Sequence, residues 1–372
     1  MKKFFGDLKF LAIIFVGTFI YGFLGSYLFF DFKNKIDLIF PRLEVKKNIP
    51  VTQPAVLPVV IHPSKKTSDR GLYITWYTAT DEKKFSQIRE AARAAGLNTL
   101  VIDVKEELSK PFLELARKHR LSSDLKIQPN HWLYYLTKKL HQEGFIVTAR
   151  LVVFKDDQLV LVRPDLAVLL KAGGIYRDKR GGRWSDPYAA EARLYNELMA
   201  ESAAASGVDE VQLDYIRFPA EGAADYIFCP HEKENISKVE IINQFLASVK
   251  QRLEKYQVSL AGDIFGVTAW QSENDIKNLG QDLKLMSQYV DVISPMLYPS
   301  HFHDGYDGYP NPGAEPYYFI YTGVNKARQI LGPGAKTIII PWIQGFEMKS
   351  PNFGPEYILK QIKAARQAGS ER

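Results

Sequence analysis

The chain has 372 residues, of which 46% are hydrophobic and 13% aromatic, so it can bury a large core and cannot be mainly disordered or low-complexity. Its 48 Lys and Arg and 42 Asp and Glu leave a net charge of +6 without a concentrated basic run, which disfavours a nucleic-acid-binding protein. The single cysteine, Cys229, excludes an intrachain disulfide and a cysteine-based zinc site.

An uncharged apolar run lies near the N-terminus. Residues 10–30 are about as long as a helix that crosses the hydrocarbon core of a membrane. Because Lys2, Lys3 and Lys9 outnumber the acids of residues 1–9, the N-terminus is expected to stay in the cytoplasm. We therefore predict a single-pass anchor in the membrane, with the rest of the chain at the bacterial cell surface or in the periplasm. The alternative is a cleaved signal peptide, which needs a small-residue cleavage site that the bulky FFDF sequence does not offer.

Residues 31–70 are predicted to form a stalk rather than a domain. Four prolines, Pro50, Pro54, Pro58 and Pro63, interrupt this segment and favour extended, partly stiff conformations. The stalk would hold residues 71–372 away from the membrane surface.

From residue 71 onward, short β-rich apolar runs alternate with amphipathic segments, a pattern typical of βα units around a parallel sheet. Seven strands are predicted, at residues 72–77, 99–104, 145–154, 210–218, 258–267, 290–298 and 337–346. Predicted helices include residues 81–96, 131–144, 190–207 and 236–256, and several end at glycine.

The strands are almost continuously apolar, which indicates a sheet buried on both faces. This pattern favours an α/β fold with a TIM-like (β/α) barrel over an antiparallel sandwich. A doubly wound open sheet is the alternative, but no GxGxxG motif follows the first strand and no Walker loop is present, so nucleotide binding is disfavoured.

Candidate functional residues were sought at the C-terminal ends of the strands, where such barrels carry their chemistry. Most of these ends hold a carboxylate, an aromatic side chain or both. The candidates are Trp76, Tyr77, Asp103, Lys105, Glu106, Asp214, Tyr215, Arg217, Asp263, Tyr298, His301, His303, Trp342, Gln344 and Glu347.

Two of these carboxylates form the candidate catalytic pair. Asp214 interrupts the strand-like VQLDYIRFP segment, and Arg217 lies close enough in sequence to keep it ionised, which suits a nucleophile. Asp263 ends the next strand, and neighbouring strands lie about 4.8 Å apart. The two carboxylates can therefore meet across one cleft, as in glycosidases of either the retaining or the inverting type. The alternatives are a structural Asp–Arg pair for Asp214 and a cap or turn role for Asp263.

Aromatic side chains at the same rim offer flat platforms for sugar rings, although ordinary core packing is the alternative. His301 and His303, with Asp304 beside them, could hold a metal, but no third ligand has a telling spacing. We therefore predict no metal and no cofactor. The predicted substrate-binding residues are Trp76, Asp103, Lys105, Glu106, Arg217, Tyr298, His301, Trp342, Gln344 and Glu347.

Eight sequence landmarks, in chain order, resemble a bacterial family of glycoside hydrolase domains that was long catalogued as a domain of unknown function and is distantly related to α-amylase-type barrels. They are GLYITWYTA (71–79), LVIDVKE (100–106), RWSDPY (183–188), GVDEVQLDYIRFP (207–219), AGDIFG (261–266), VISPMLYPSHF (292–302), PYYFI (316–320) and IPWIQGF (340–346).

The resemblance implies a TIM-like barrel that acts on a polysaccharide. It assigns Asp214 to the position of the fourth-strand nucleophile and Asp263 to that of the fifth-strand acid/base, where the amylase-like pattern has Glu. Asp103, Glu106 and Glu347 are reserve acids. The family also continues into an eighth strand with a GWxLWN-like segment, whereas this sequence stops at AARQAGSER, so we expect a barrel without that strand and with two exposed edges.

Together these observations predict a membrane-anchored glycoside hydrolase that cleaves a cell-envelope or exopolysaccharide glycan by two-carboxylate acid/base chemistry. A non-catalytic glycan-binding barrel is the alternative from a different class. A metal-dependent hydrolase that uses His301 and His303 is a third hypothesis.

Overall fold

The computed structural model describes residues 57–62, 70–220, 225–270 and 272–370. The predicted cytoplasmic segment 1–9, the predicted anchor 10–30 and most of the predicted stalk 31–70 lie outside these residues. Within the described part of the chain, no helix is long and apolar enough to cross a membrane.

Seven parallel strands form one curled sheet, a half-barrel, and two very short strands form a separate antiparallel pair. The strands are β1 (Gly71–Ile74), β2 (Thr99–Asp103), β3 (Ile146–Val152), β4 (Leu169–Leu170), β5 (Glu210–Asp214), β6 (Ile227–Phe228), β7 (Ser259–Phe265), β8 (Val292–Met296) and β9 (Ile338–Ile339). β4 pairs with β6, and the order in the large sheet is β1-β2-β3-β5-β7-β8-β9.

The order of the seven strands follows the chain without reversal, so the doubly wound alternative, which requires a switch point, is excluded. The predicted α/β class and the seven parallel strands are confirmed. Among the described residues, β1 and β9 are the two edges of this sheet.

Helices connect successive strands, as the alternating sequence pattern predicts. They are α1 (Trp76–Thr80), α2 (Glu82–Ala94), α3 (Lys105–Arg117), α4 (His131–Gln142), α5 (Asp157–Val162), α6 (Ala190–Ala205), α7 (Lys238–Glu254), α8 (Glu273–Leu279), α9 (Leu283–Met286), α10 (Pro316–Leu331) and α11 (Pro355–Gln367). Side chains cap several of them: Asn130 Oδ1 accepts a hydrogen bond from the Leu133 amide at 3.0 Å, and Ser237 Oγ accepts one from the Glu240 amide at 3.1 Å.

All seven predicted strands extend beyond the C-terminal ends of the observed ones. The run 72–77 ends as a strand at Ile74, because Thr75 Oγ1 accepts a hydrogen bond from the Thr78 amide and caps α1. The run 337–346 is a strand only over Ile338–Ile339, although the Ile340 and Trp342 amides still donate hydrogen bonds to the Ile293 and Pro295 carbonyls of β8, each at 3.0 Å.

The base of the sheet, where its strands begin, is covered by residues 57–62. The Val60 amide donates a hydrogen bond to the Ala205 carbonyl at 3.2 Å, and the His62 amide donates one to the Tyr256 carbonyl at 3.1 Å. This end is closed by packing, so the mouth of the sheet, where the strands end, is the place to look for a functional site.

Candidate active site

Charged and amide side chains form a row across the mouth of the sheet. In the register of the parallel strands, Asp103 of β2 pairs with Arg150 of β3, and Arg150 pairs with Gln212 of β5. One position beyond the Leu213–Gly262 pair, β5 and β7 carry Asp214 and Asp263. Because paired residues of parallel strands project to the same side of a sheet, these groups converge.

Arg150 is the centre of this row. Its guanidinium forms ion pairs with Asp103, at 2.5 Å, and with Asp214, and its Nε lies 3.9 Å from Asp263 Oδ2. Burial acts to lower the pKa of Arg150, but the carboxylates of Asp214, Asp103 and Asp263 outweigh it and raise that pKa well above its usual value. One permanently charged side chain therefore joins three carboxyl groups.

Asp263 is only 1% exposed and is held from two sides. Gln212 Nε2 and Trp342 Nε1 each donate a hydrogen bond to Asp263 Oδ1 at 2.8 Å. Burial, followed by the charge of Asp214, raises the pKa of Asp263 well above its ordinary range, while Arg150 and the Trp342 hydrogen bond act in the opposite direction. Asp263 therefore retains a proton at a pH where an ordinary aspartate has lost it.

The position of that proton follows from the hydrogen bonds. Oδ1 of Asp263 already accepts from two donors, whereas Oδ2 is buried without a hydrogen-bond partner among the described residues. A proton on Oδ2 would lie on the Arg150 side of the carboxyl group, away from solvent. Since Oδ2 of Asp214 and Oδ2 of Asp263 both lie against nitrogen atoms of one guanidinium, their separation falls below the about 9.5 Å upper limit of inverting glycosidases.

Asp214, 4% exposed, ends β5 at a strained turn. The next residue, Tyr215, has a φ of 54°, a left-handed backbone conformation that non-glycine residues rarely adopt. This conformation turns the Tyr215 amide to donate a 2.6 Å hydrogen bond to Asp214 Oδ1. The Trp184 ring, 5.6 Å from the Tyr215 ring, packs against the turn and supports it.

Tyr73 and Trp342 form one wall of the site. The Tyr73 hydroxyl donates a hydrogen bond to Asp103, and Arg150 lies 5.2 Å from the centre of the Tyr73 ring. The Tyr73 and Trp342 rings meet edge to face at 6.3 Å. Burial and the Asp103 carboxylate raise the pKa of Tyr73, so its hydroxyl remains a hydrogen-bond donor.

Tyr298 follows β8 and packs within a group of aromatic rings. Burial raises the pKa of Tyr298, and the carboxyl groups of Asp263 and Asp214 add to this effect. Its ring is 5.0 Å from that of His301 and 5.4 Å from that of Phe346, a residue with 39% of its surface exposed. Desolvation lowers the pKa of His301, so its imidazole is neutral at pH 7.

Glu106 lines a cavity of about 200 Å³ that also includes Asp103 and Arg150. Burial raises the pKa of Glu106, with the Asp103 carboxylate adding to the effect, and its Oε2 is buried without a hydrogen-bond partner among the described residues. Lys105, in the same cavity, is tied to Asp156 at 2.7 Å and to the Val153 carbonyl at 3.0 Å. Glu106 is therefore an available acid, whereas Lys105 is already engaged with protein groups.

The remaining residues predicted from the sequence differ in how exposed they are to solvent. Arg217 is 7% exposed, stacks 4.0 Å from the Phe265 ring centre and donates to the Phe218 carbonyl, while the ion pair of Asp214 described above is with Arg150. Trp76 is half-buried in the first turn of α1, and Glu347 is exposed.

Gln344 is fully buried behind the cleft and connects two loops. Its Oε1 accepts a hydrogen bond from the Ser300 amide at 3.1 Å, and its Nε2 donates to the Phe346 and Met348 carbonyls. With no exposed surface, Gln344 supports the loop that carries Phe346 rather than facing the cleft.

Four residues of the site escaped the sequence analysis: Tyr73, Arg150, Gln212 and Phe346. Arg150 had a signal, because it is the only charged residue in the apolar run 145–154 ahead of Lys155, just as Asp214 interrupts the following strand. Gln212 also interrupts an apolar run, two residues before the candidate carboxylate Asp214. Tyr73 interrupts another run, on the strand next to the one that carries Asp103. Phe346 had no signal, because only the fold of its loop brings it to Tyr298.

No cluster of three or more His, Cys, Asp or Glu side chains that could hold a metal ion occurs in the part of the chain that the structure describes. His301 lies in the aromatic group, and His303 Nδ1 contacts the Asp304 carbonyl at 2.9 Å.

Barrel enzymes carry their active sites at the C-terminal ends of parallel strands, and paired carboxyl groups are the catalytic groups of most glycoside hydrolases. Residues 71–372 match the model of the family described as "Putative glycosyl hydrolase domain". The chain belongs to this family, and its class is that of enzymes that hydrolyse O-glycosidic bonds.

One solved structure shares this fold, and two others are similar over part of this chain or of theirs. The glycoside hydrolase domain of PgaB (BpsB) from Bordetella bronchiseptica is similar over 82% of this chain and 92% of that chain, with a TM-score of 0.56 and 13% sequence identity. A hypothetical protein from Ruminiclostridium thermocellum is 29% identical over 52% of this chain and 96% of that chain, with a TM-score of 0.42. An α-galactosidase from Thermus thermophilus is 14% identical over 85% of this chain and 59% of that chain, with a TM-score of 0.49. No curated protein matches the chain.

Proposed function

We propose that this protein hydrolyses a cell-envelope or exopolysaccharide glycan with Asp214 and Asp263 as its catalytic carboxyl groups. The observation that carries the proposal is their asymmetry around Arg150. Asp214 is ion-paired with the guanidinium, whereas Asp263 is buried with a raised pKa, and its Oδ1 accepts hydrogen bonds from Gln212 and Trp342. One carboxylate and one carboxylic acid beside each other are what glycosidic cleavage requires.

In the proposed reaction, an Asp214 oxygen attacks the anomeric carbon and forms an ester bond while the glycosidic C–O bond breaks. The departing oxygen takes the proton of Asp263. Water then attacks the anomeric carbon, returns one proton to Asp263 and releases the Asp214 carboxylate. The net change is the addition of one water across the glycosidic bond. Arg150 would balance the negative charge of Asp214, and Trp342 and Gln212 would hold Asp263 in place.

The test uses the full chain with Asp214→Asn and measures the reducing ends released from bacterial cell-envelope and exopolysaccharide preparations. We expect a loss of turnover of at least about 10³-fold, because the amide cannot act as a nucleophile. The circular dichroism spectrum should be unchanged. Asp124→Asn, a matched change at an exposed loop residue, should keep full turnover. Retained turnover in Asp214→Asn would refute the assignment of Asp214.

The stereochemistry of the product tests the role of Asp214 directly. Proton NMR of the first-formed anomer should show retention of configuration if Asp214 forms a covalent intermediate. Inversion would instead assign to Asp214 the activation of a water molecule.

A second candidate, a non-catalytic glycan-binding barrel, is favoured by one observation. Asp263 is 1% exposed, so its proton reaches a glycosidic oxygen only if Arg150 or Trp342 moves away from it. This candidate predicts saturable binding of a polysaccharide by the wild-type chain, without release of reducing ends.

We also propose that residues 10–30 anchor the protein in the membrane, with residues 71–372 outside the cytoplasm. The length of this apolar run and the lysines before it support the proposal. In intact cells, a protease added outside should degrade the C-terminal domain while a cytoplasmic marker protein survives. A domain that stays protected until the cells are lysed would contradict this orientation.

A further inference from the structure

A larger cleft opens beside the catalytic row, at the mouth of the sheet. Its volume is about 720 Å³, and its lining comes from the chain after β5, from the ends of β7 and β8 and from α8. This size lies within the about 300–1,000 Å³ that is typical of small-molecule pockets. We infer that this cleft is a glycan subsite that binds an N-acetylated hexosamine unit of the substrate. The inference rests on the function proposed above, because it concerns the same substrate.

The cleft is lined by residues that follow the two carboxyl groups along the chain. Phe265 lies two residues beyond Asp263 on β7, so both side chains project to the same side of the sheet, and Phe265 lines the cleft. Met296, the register partner of Phe265 on β8, lines it as well. On the other side, His301 borders the cleft and contacts Tyr298, whose raised pKa includes an effect of both carboxyl groups. A glycan whose scissile bond lies at Asp214 and Asp263 would therefore extend into this cleft.

The chemistry of the lining matches an acetamido sugar. Phe265 and Met296, both partly exposed, provide an apolar surface that suits the C–H face of a sugar ring and an acetyl methyl group, with Phe302 packed behind it. Asn274 and Asn278 line the same cleft, and Asn278 Nδ2 donates to Asn274 Oδ1 at 3.2 Å. Because each asparagine has two amide hydrogens and an oxygen with two lone pairs, this pair retains capacity for a second amide. An apolar wall beside paired amides is complementary to a methyl group attached to an amide.

Charge narrows the choice of sugar. Asp225 and Asp275 line the cleft, and no Lys or Arg occurs among the described residues that line it. A uronic acid would bring a carboxylate against these two acids and would be repelled. The cleft therefore favours an uncharged acetamido sugar over an anionic one.

The experiment measures binding without turnover. Isothermal titration calorimetry of the full chain carrying Asp214→Asn would use chitopentaose and cellopentaose, which differ at C2 by an acetamido or a hydroxyl group, and an oligogalacturonate as the anionic probe. We expect chitopentaose to bind at least about tenfold more tightly than cellopentaose, the value of one good hydrogen bond. No binding of the oligogalacturonate is expected.

Asn278→Ala, added to the same chain, should weaken chitopentaose binding about tenfold and leave cellopentaose binding unchanged. Asn325→Ala is the matched control, because Asn325 lines a separate cavity beside β9, and it should change neither affinity. Equal affinity for the two pentasaccharides, failure to bind either, or an ineffective Asn278→Ala would overturn the inference. A wild-type chain that binds chitopentaose but never releases reducing ends would instead refute the proposed hydrolysis and leave the subsite standing.

Discussion

Strand β5 has a buried aspartate at each end, and the two are used in opposite ways. Asp209, just before the strand, lies at the base, where its Oδ2 accepts hydrogen bonds from the Val147 amide at 2.8 Å and from His141 Nε2 at 2.7 Å. His62 Nδ1 lies 3.9 Å from the other oxygen of Asp209. Asp214, at the mouth, shares one arginine with Asp103 and Asp263. The base thus has one carboxylate between two imidazoles, and the mouth has one cation among three carboxyl groups.

The interactions of Asp209 at the base stabilise the fold, whereas those at the mouth set the pKa values that catalysis would require. At the base, a backbone amide and one imidazole both bind Oδ2 of the carboxylate, and a second imidazole lies near the other oxygen. At the mouth, negative groups outnumber the cation, and the burial of Asp263 is tolerated only because it keeps a proton. Such sites cost stability and are typical of regions where the chemistry requires a raised pKa.

The largest effect on stability is expected for Arg150→Met. Three carboxyl groups would lose their shared cation in a buried setting, which we expect to lower the free energy of unfolding by about 3–5 kcal/mol. Urea denaturation followed by fluorescence would measure this loss. Arg93→Met is the matched control at an exposed site 3.7 Å from Glu143 and should cost less than about 1 kcal/mol. Equal costs for the two variants would contradict the central place of Arg150.

A smaller loss is expected at the base. Asp209→Ala leaves the buried Val147 amide without its side-chain acceptor and should lower the free energy of unfolding by about 2–3 kcal/mol. Asp214→Ala, at the other end of the same strand, should cost less, because Arg150 keeps Asp103. The same urea titration measures both variants. A larger cost for Asp214→Ala than for Asp209→Ala would reverse the comparison.

Asp263→Asn tests the excess of carboxyl groups over cations at the mouth, because it changes how the free energy of unfolding depends on pH. The pKa of Asp263 is raised in the folded protein, so its contribution to stability is fully present below the unfolded pKa of about 3.9 and is lost as pH rises through the folded value. Asparagine does not titrate, so the variant does not lose stability in this way as pH rises. We therefore expect the stability of the variant relative to wild type to improve with rising pH, by at most about 1.4 kcal/mol per pH unit. Thermal unfolding between pH 4 and pH 8 would show a constant difference if Asp263 were ordinarily ionised.

The smallest effect concerns how residues 57–62 cover the base. Gly207 has a φ of 90°, and a Cβ there would lie 3.1 Å from Val60 Cγ2. Gly207→Ala should therefore cost about 1–2 kcal/mol from backbone strain together with the crowding of the new Cβ against Val60. Gly144→Ala, at a φ of 85° with open space around it, carries only the strain. A larger drop in melting temperature for Gly207→Ala than for Gly144→Ala would confirm the contact, and equal drops would argue against it.

Much of the fold could be predicted from the order of residue types. Strands buried on both faces must be apolar along their whole length, as in TLVID of β2, so seven such runs predicted seven parallel strands. Their ends were less predictable, because a local contact such as the Thr75 cap ends β1 within a run that remains apolar. The carboxylates at the ends of β5 and β7 could be predicted because buried strands are otherwise apolar, so a charged residue within such a run indicates a functional position.

What could not be predicted depends on contacts between distant parts of the chain. Arg217 is close to Asp214 in sequence, yet the ion pair described for Asp214 is with Arg150, 64 residues away, because strand register places β3 beside β5. Gln344 looked like a rim residue, but loop packing buries it against Ser300. Local patterns record which residues share a strand and how far apart they lie along it. The protonation of Asp263, the strain at Tyr215 and the cleft beside Phe265 exist only after folding, because desolvation and register are properties of the assembled sheet.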